Sequence, residues 1–164
     1  MITIRRLASG EGALYRRVRL AALHDAPEAF STSYESASQR SPESWAAQAD
    51  AAAEGSDRFT FVVLRKDEPV GLASLYRDAD GSRQGEMIQV WLAPALRGGG
   101  VADALLDLVF RTAGNHGFDK IRAEVFTANE RARRFYEKHG FVPDEAPGSP
   151  AFQSIVLSKV IPNA

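Results

Sequence analysis

Three consecutive glycines, Gly98, Gly99 and Gly100, stand between Arg97 and the pair Val101-Ala102. An apolar, strand-like run ends just before them at Leu92, and a strongly periodic, helix-like run begins just after. Glycine reaches φ > 0 at no steric cost and leaves no side chain between backbone amides and a ligand. The first N–H groups of a helix have no internal partner, and the macrodipole adds about half a positive charge there. A turn of this composition can bind a pyrophosphate through its amides, with Arg97 adding one formal charge. The same residues would also serve as a flexible, glycine-capped turn, and three glycines alone do not separate the two readings. The run lacks the Gly-Lys-Ser/Thr of a P-loop. It also lacks the first strand and the later ribose-binding acid of a dinucleotide fold.

Other residues could move protons. Tyr136 has a phenol that ionises near pH 10 and can donate its proton to a departing group. By periodicity it lies on an apolar stripe with Ala132, Phe135 and His139, which also suits a core aromatic with a wet tip. Glu86 opens a strand and reads either as a general base or as an exposed strand-edge acid; Glu124, on the next strand, is a weaker alternative. Asn129 suits a helix N-cap. Arg131, Arg133, Arg134 and Lys138 form a basic face of the kind that is commonly only solvated. His24, His116 and His139 show no ligand spacing, and the chain has no cysteine, so no metal site is expected. An acyl-cysteine intermediate is excluded for the same reason.

These residues need elements to hold them. A short strand at Ile2–Leu7 precedes an amphipathic helix from about Ser9 to Leu23, with Leu14, Val18, Ala21 and Ala22 on one face. Asp25–Arg40 reads as a loop. Ser41-Pro42-Glu43 has the hydroxyl, proline and acid of a helix start, and that helix runs to about Glu54. Strands are expected at Phe59–Arg65, Val70–Tyr76 and Glu86–Leu92, the first two forming a hairpin. A helix over Gly100–His116 carries Val101, Leu105, Leu108, Val109 and Thr112 on one stripe. Then come a strand at Lys120–Phe126, a helix over Asn129–His139 and two strands, Phe141–Val142 and about Phe152–Lys159. The loop Pro143–Pro150 lies between those last two strands. This order gives a mixed sheet with helices on both faces and rules out a regular βαβ repeat.

Two stretches of this chain resemble one known family. Val90-Trp91-Leu92-Ala93-Pro94-Ala95-Leu96-Arg97-Gly98-Gly99-Gly100-Val101-Ala102 is similar to motif A of the GNAT N-acetyltransferases, Gln/Arg-x-x-Gly-x-Gly/Ala, at Arg97, Gly100 and Ala102. Asn129 to Phe141 is similar to their motif B, through Asn129, Ala132, Phe135-Tyr136 and Gly140-Phe141. The resemblance is dense over residues 86–141 and looser elsewhere. It implies an α/β (α+β) fold in one domain over 1–164: a mostly antiparallel, twisted sheet of six to seven strands with four helices on both faces. It further implies transfer of an acetyl group from acetyl-CoA, as co-substrate, to a primary amine in a ternary complex. A non-catalytic acyl-CoA sensor or interaction module is the alternative.

Under that resemblance Tyr136 protonates the departing thiolate and Glu86 is the general base. A lysine-like amine at pH 7 costs about 4.6 kcal/mol to deprotonate, so a base offsets a real barrier. The backbone of Val90, Trp91 and Leu92 pairs with the pantetheine arm. Arg97, Gly98, Gly99, Gly100, Val101 and Ala102 hold the pyrophosphate. Asn129 contacts the arm, and a basic residue such as Arg133 meets the 3′-phosphate. The acceptor, a small-molecule or peptide amine, lies between the Asp25–Arg40 and Asp144–Pro150 loops. Asp25, Glu28, Glu35, Asp144 and Glu145 could attract its charge, and Phe30, Tyr34 and Trp45 could wall its pocket or fill the core. Homodimers are common in the family.

Composition adds exclusions. The 164 residues carry 20 basic and 21 acidic side chains, net charge −1, which gives no global case for nucleic acid or a membrane surface. The apolar fraction of 45% and charged fraction of 25% are ordinary for a globular protein. No apolar run approaches the ~18–20 residues of a membrane span, and the N-terminus does not resemble a signal peptide. A cytoplasmic location is the expectation.

Overall fold

The sheet is apolar on both faces, and that decides the architecture. In the computed structural model, which describes residues 1–149 and 153–162, seven strands form one sheet in the order β1-β2-β3-β4-β5-β7-β6. The strands are β1 (Ile2–Arg6), β2 (Arg58–Arg65), β3 (Glu68–Arg77), β4 (Gln84–Leu92), β5 (Lys120–Phe126), β6 (Val142–Pro143) and β7 (Ser154–Val160). Every pairing is antiparallel except β4 with β5. The helices are α1 (Gly12–Asp25), α2 (Tyr34–Ser38), α3 (Pro42–Ala51), α4 (Val101–Asn115) and α5 (Glu130–Lys138).

Strand β2 shows why helices must cover both faces: Phe59 through Leu64 are all buried. Phe59, Phe61 and Val63 join the core with Leu105, Leu106 and Val109 of α4 and Tyr136 of α5. Val62 and Leu64 join the opposite core with Tyr15, Val18 and Leu23 of α1 and Trp45 of α3. A strand buried on both sides loses its polar alternation, as here.

Among the described residues there are five α-helices where the sequence pattern predicts four. The addition, α2, lies inside the segment expected to be loop. Ser33 caps it by accepting a hydrogen bond from the Ser36 amide at 3.1 Å, and five residues are too few to show a helical period. The first helix starts at Gly12 rather than Ser9, because the Ser9 hydroxyl and Gly10 amide are taken by Glu54 and Asp50 of the α3 region at 2.9 Å each. Of the expected last strand, Phe152 lies outside the described residues, as does Pro150 at the end of the preceding loop. Among the described residues no helix is long and apolar enough to cross a membrane.

Candidate active site

Strands β4 and β5 pair only over Gln84–Glu86 against Lys120–Arg122. Both continue, β4 along β3 and β5 along β7, so they part beyond Glu86. The parting has a local cause. Between the pairs Ser74–Ile88 and Leu72–Trp91, β4 holds one residue more than β3, a bulge that bends the strand. Gln89 sits there at φ +58°, in the left-handed region that a non-glycine residue seldom adopts. Its side-chain oxygen accepts hydrogen bonds from the Tyr15 and Ser74 hydroxyls, each at 3.0 Å. The bulge leaves the far half of β4 with an unpaired edge facing the gap.

A cleft of about 470 Å³ opens on this edge. Of the residues expected at a cofactor, Val90, Trp91, Leu92, Arg97, Gly98, Gly100, Ala102 and Asn129 line it; Gly99, Val101 and Arg133 do not. Gly98 and Gly100 have φ of +82° and +86°, and a Cβ on either would meet no atom within 4 Å. Glycine is needed there for its backbone conformation and not for space. Gly100 is the N-cap of α4, and no side chain caps that helix. The first amides of α4 therefore have neither an internal partner nor a side-chain cap.

Arg97 lines the cleft with its guanidinium held on two sides. Its Nε donates to the Leu92 carbonyl at 2.9 Å and its Nη2 to Asp25 Oδ2 at 2.9 Å. The same carboxylate oxygen accepts from the Trp91 indole at 2.9 Å. Asp25, expected near the acceptor, thus ties the end of α1 to the end of β4 and neutralises Arg97. The other cations that line the cleft are Arg131 and Lys138 of α5, the latter in a loose, exposed pair with Asp103 at 3.9 Å. They are seven residues apart and share a helix face, a spacing that distinguishes them from Arg133. Asn129 caps α5, its Oδ1 accepting from the Ala132 amide at 3.1 Å.

A second cleft, about 290 Å³, adjoins the first and shares Ala29, Phe30, Val90, Asn129, Ala132 and Tyr136 with it. Tyr136 is 9% exposed, packed edge-on to Phe135 and Phe141. Burial pushes its pKa well above that of an ordinary phenol, so it holds its proton throughout the neutral range. Glu86 lines only the second cleft. Burial raises its pKa, Arg122 opposes this, and Glu124 and Asp78 reinforce it. A carboxyl shifted upward is a stronger base near neutrality. Glu124 lines the same cleft but is engaged: burial pushes it up, and hydrogen bonds from the Ser154 hydroxyl and from the Ser149 amide and hydroxyl outweigh that.

The loops expected around an acceptor contribute Ala29, Phe30, Ser31, Thr32 and Ser149 to the second cleft. Their acids do not gather there. Asp25 and Glu28 line the first cleft, and Asp144 pairs with Lys120 at 2.6 Å, which holds its pKa down at about 2. Trp45 is 1% exposed and belongs to the core against Tyr15, while Tyr34 is exposed. Three residues escaped the sequence reading: Gln89, whose backbone bends β4; Asp25 as a tie; and Arg19 of α1, which lines the second cleft. Among the described residues no group of three or more His, Cys, Asp or Glu side chains could hold a metal ion.

Comparison with known proteins bears on this geometry. Residues 20–141 match the model of the acetyltransferase (GNAT) family. Over 72 residues the chain is 40% identical to uncharacterized N-acetyltransferases of Mycobacterium tuberculosis and Mycobacterium bovis, a stretch covering 44% of this chain and 45% of each relative. The chain thus matches under half the length of these curated relatives. Its fold is similar to a GNAT-family acetyltransferase from Streptococcus pneumoniae, with TM-score 0.78 and 17% identity over 99% of this chain and 100% of the other. It is also similar to the PaiA N-acetyltransferase from Thermoplasma acidophilum, solved in complex with coenzyme A. There the TM-score is 0.76 and the identity 17%, over 98% of this chain and 99% of that one.

Proposed function

The chain belongs to the GNAT acetyltransferase family, and from that premise we propose that it transfers an acetyl group from acetyl-CoA to a primary amine held in the second cleft. The observation that carries this reading is the junction of the two clefts at Tyr136, between the left-handed glycine turn and Glu86.

The residues present fit coenzyme A. The uncapped N-terminus of α4 suits a pyrophosphate, the unpaired edge of β4 at Val90–Leu92 suits the amides of pantetheine, and Arg131 and Lys138 suit a further phosphate. When bound, acetyl-CoA supplies an acyl group activated as a thioester. Glu86 accepts a proton from the amine, directly or through water, so that the nitrogen lone pair can form the new N–C bond. As the C–S bond breaks, the Tyr136 hydroxyl gives its proton to the sulfur, and the second proton lost by the nitrogen, carried by water, restores the phenol. Burial of Tyr136 suits this role, because a phenol that resists ionisation arrives at the reaction protonated. With no cysteine to carry the acyl group, transfer is direct within a ternary complex.

The test is calorimetry with coenzyme A followed by thiol release from acetyl-CoA against a panel of amines. Binding together with amine-dependent release supports the proposal. Binding without release by any amine would make the chain an acyl-CoA sensor, and no binding would exclude both.

A further inference from the structure

The second cleft carries a cation that no described residue neutralises. Arg19 is 7% exposed, lines the cleft beside Phe30, Ser31 and Thr32, and lies with its guanidinium carbon 4.8 Å from the centre of the Phe30 ring. Its Nη1 is buried with no hydrogen-bond partner among the described residues. Other arginines of the fold have theirs: Arg97 has Asp25, Arg122 has Asp78 and Arg5 has Glu11. Burial draws the pKa of Arg19 down and Arg40 adds to this, against the opposing Tyr15 and Tyr76 hydroxyls. The Tyr15 hydroxyl is already engaged with Gln89 and Gln48.

A guanidinium does not shed its proton in water near neutrality, so Arg19 remains charged. Burying an unpaired charge costs stability unless something of opposite sign completes it. The planar fork of arginine matches a carboxylate, which it can hold through two parallel hydrogen bonds. Glu86 lines the same cleft, so one ligand would meet both a cation and a carboxylate there. The volume, about 290 Å³, lies just below the roughly 300–1,000 Å³ usual for ligand sites, which suits a small molecule.

We propose that the acceptor is a small amine that also bears a carboxylate, with Arg19 holding the carboxylate and the amine turned toward Glu86. This names the substrate class of the reaction proposed above and rests on that reading. It also goes beyond the expectation that acids of the two loops attract the charge of the amine, since the cleft offers charge of both signs.

The experiment measures kcat/KM by thiol release for a panel of amino acids and their carboxamides, with wild type, Arg19→Gln and Arg19→Lys. The expected result is that Arg19→Gln lowers the ratio of amino acid to amide by about 10- to 100-fold, through KM, on the scale of a charged hydrogen bond. Arg19→Lys, which keeps the charge without the fork, recovers part of it. Comparing the ratio within each variant cancels any loss of folded protein, and thermal melting checks the fold. An unchanged ratio overturns the proposal. If no amine is turned over, the acetyltransferase reading fails, and calorimetry with N-acetylated amino acids decides the carboxylate site separately. Binding that Arg19→Gln abolishes supports it; binding equal in the two proteins, or none, overturns it.

Discussion

The two clefts meet at Tyr136 but are built differently. The first is organised around backbone features, a left-handed turn at Gly98 and Gly100, the uncapped start of α4 and the unpaired edge of β4, with Arg131 and Lys138 beside them. The second is made of side chains from distant segments: Arg19 of α1, Phe30 of the following loop, Glu86 of β4 and Glu124 of β5. Backbone sites suit a ligand that every member of a fold binds in the same way, because the strand and helix that supply them are the fold itself. Side-chain sites can change one residue at a time, which is how one scaffold accommodates different acceptors.

The largest effect is expected where the clefts join. Tyr136→Phe removes one hydroxyl and leaves the ring against Phe135 and Phe141, so the fold and coenzyme A affinity should persist. Turnover should fall by one to two orders of magnitude, up to the lower limit of the ~10²–10⁴ scale of general acid–base catalysis. An unchanged kcat would take Tyr136 out of the chemistry and leave it a core aromatic. Such a result would also remove the reason for treating the two clefts as one site.

Glu86→Gln follows, and tests the second cleft alone. If Glu86 is the base, wild-type kcat/KM rises with pH through its raised pKa, and the variant should lose that limb together with about tenfold or more in rate. Stability should move the other way. The folded state holds the Glu86 proton more tightly than the unfolded state does, so wild type loses stability as pH rises from the unfolded pKa through the folded one. The glutamine variant should therefore melt higher than wild type above that window and equally below it. Thermal melting from pH 4 to 8 would show this, and a lower melting point at pH 8 would contradict the burial of Glu86.

The same contrast explains what could be read from the sequence. The glycine turn, the Ser41 and Asn129 caps and the apolar stripe of α4 are local patterns, each fixed by residues within a turn or two. The sheet with covered faces followed from the order of such patterns. The bulge at Gln89 was hidden, because an extra residue in β4 is visible only against the register of β3. Arg19 sits one position after Val18 on a helix read by its apolar residues, and nothing local marks a buried arginine. The bond between Asp25 and Arg97 spans 72 residues. Helix α2 was missed for its length alone.

Alanine at each glycine of the turn tests whether the first cleft is a backbone site. At Gly98 and Gly100 a Cβ costs about 1–2 kcal/mol, because L-residues are strained in the left-handed region. In a chain of this size each kcal/mol is worth about 2–4 °C in melting temperature. Coenzyme A affinity should fall with it as the amides shift. Gly99 has no positive φ, and its Cβ would meet only the Leu96 carbonyl at 3.8 Å, so Gly99→Ala should melt within a degree or two of wild type. Equal losses at all three positions would mean that close packing, and not backbone conformation, selects glycine there.

Asp25→Asn should have the smallest effect and asks whether side chains matter in the first cleft at all. Asp25 receives both the Trp91 indole and Arg97, and both partners of the ion pair are partly exposed. Losing the charge should cost ~0.2–1 kcal/mol of stability, since exposed pairs contribute little and asparagine can still accept from the indole. Arg97 stays anchored by its bond to the Leu92 carbonyl. It would then stand beside the α4 N-terminus with its charge uncompensated, and an anion there gains. Coenzyme A should bind about 2- to 5-fold more tightly at low salt, equivalent to ~0.3–1 kcal/mol. That gain should vanish near 1 M salt, where the screening length is about 3 Å. Weaker binding at every salt concentration would show instead that the cleft depends on Asp25 to position Trp91 and Arg97, and the first cleft would then be a side-chain site as much as a backbone one.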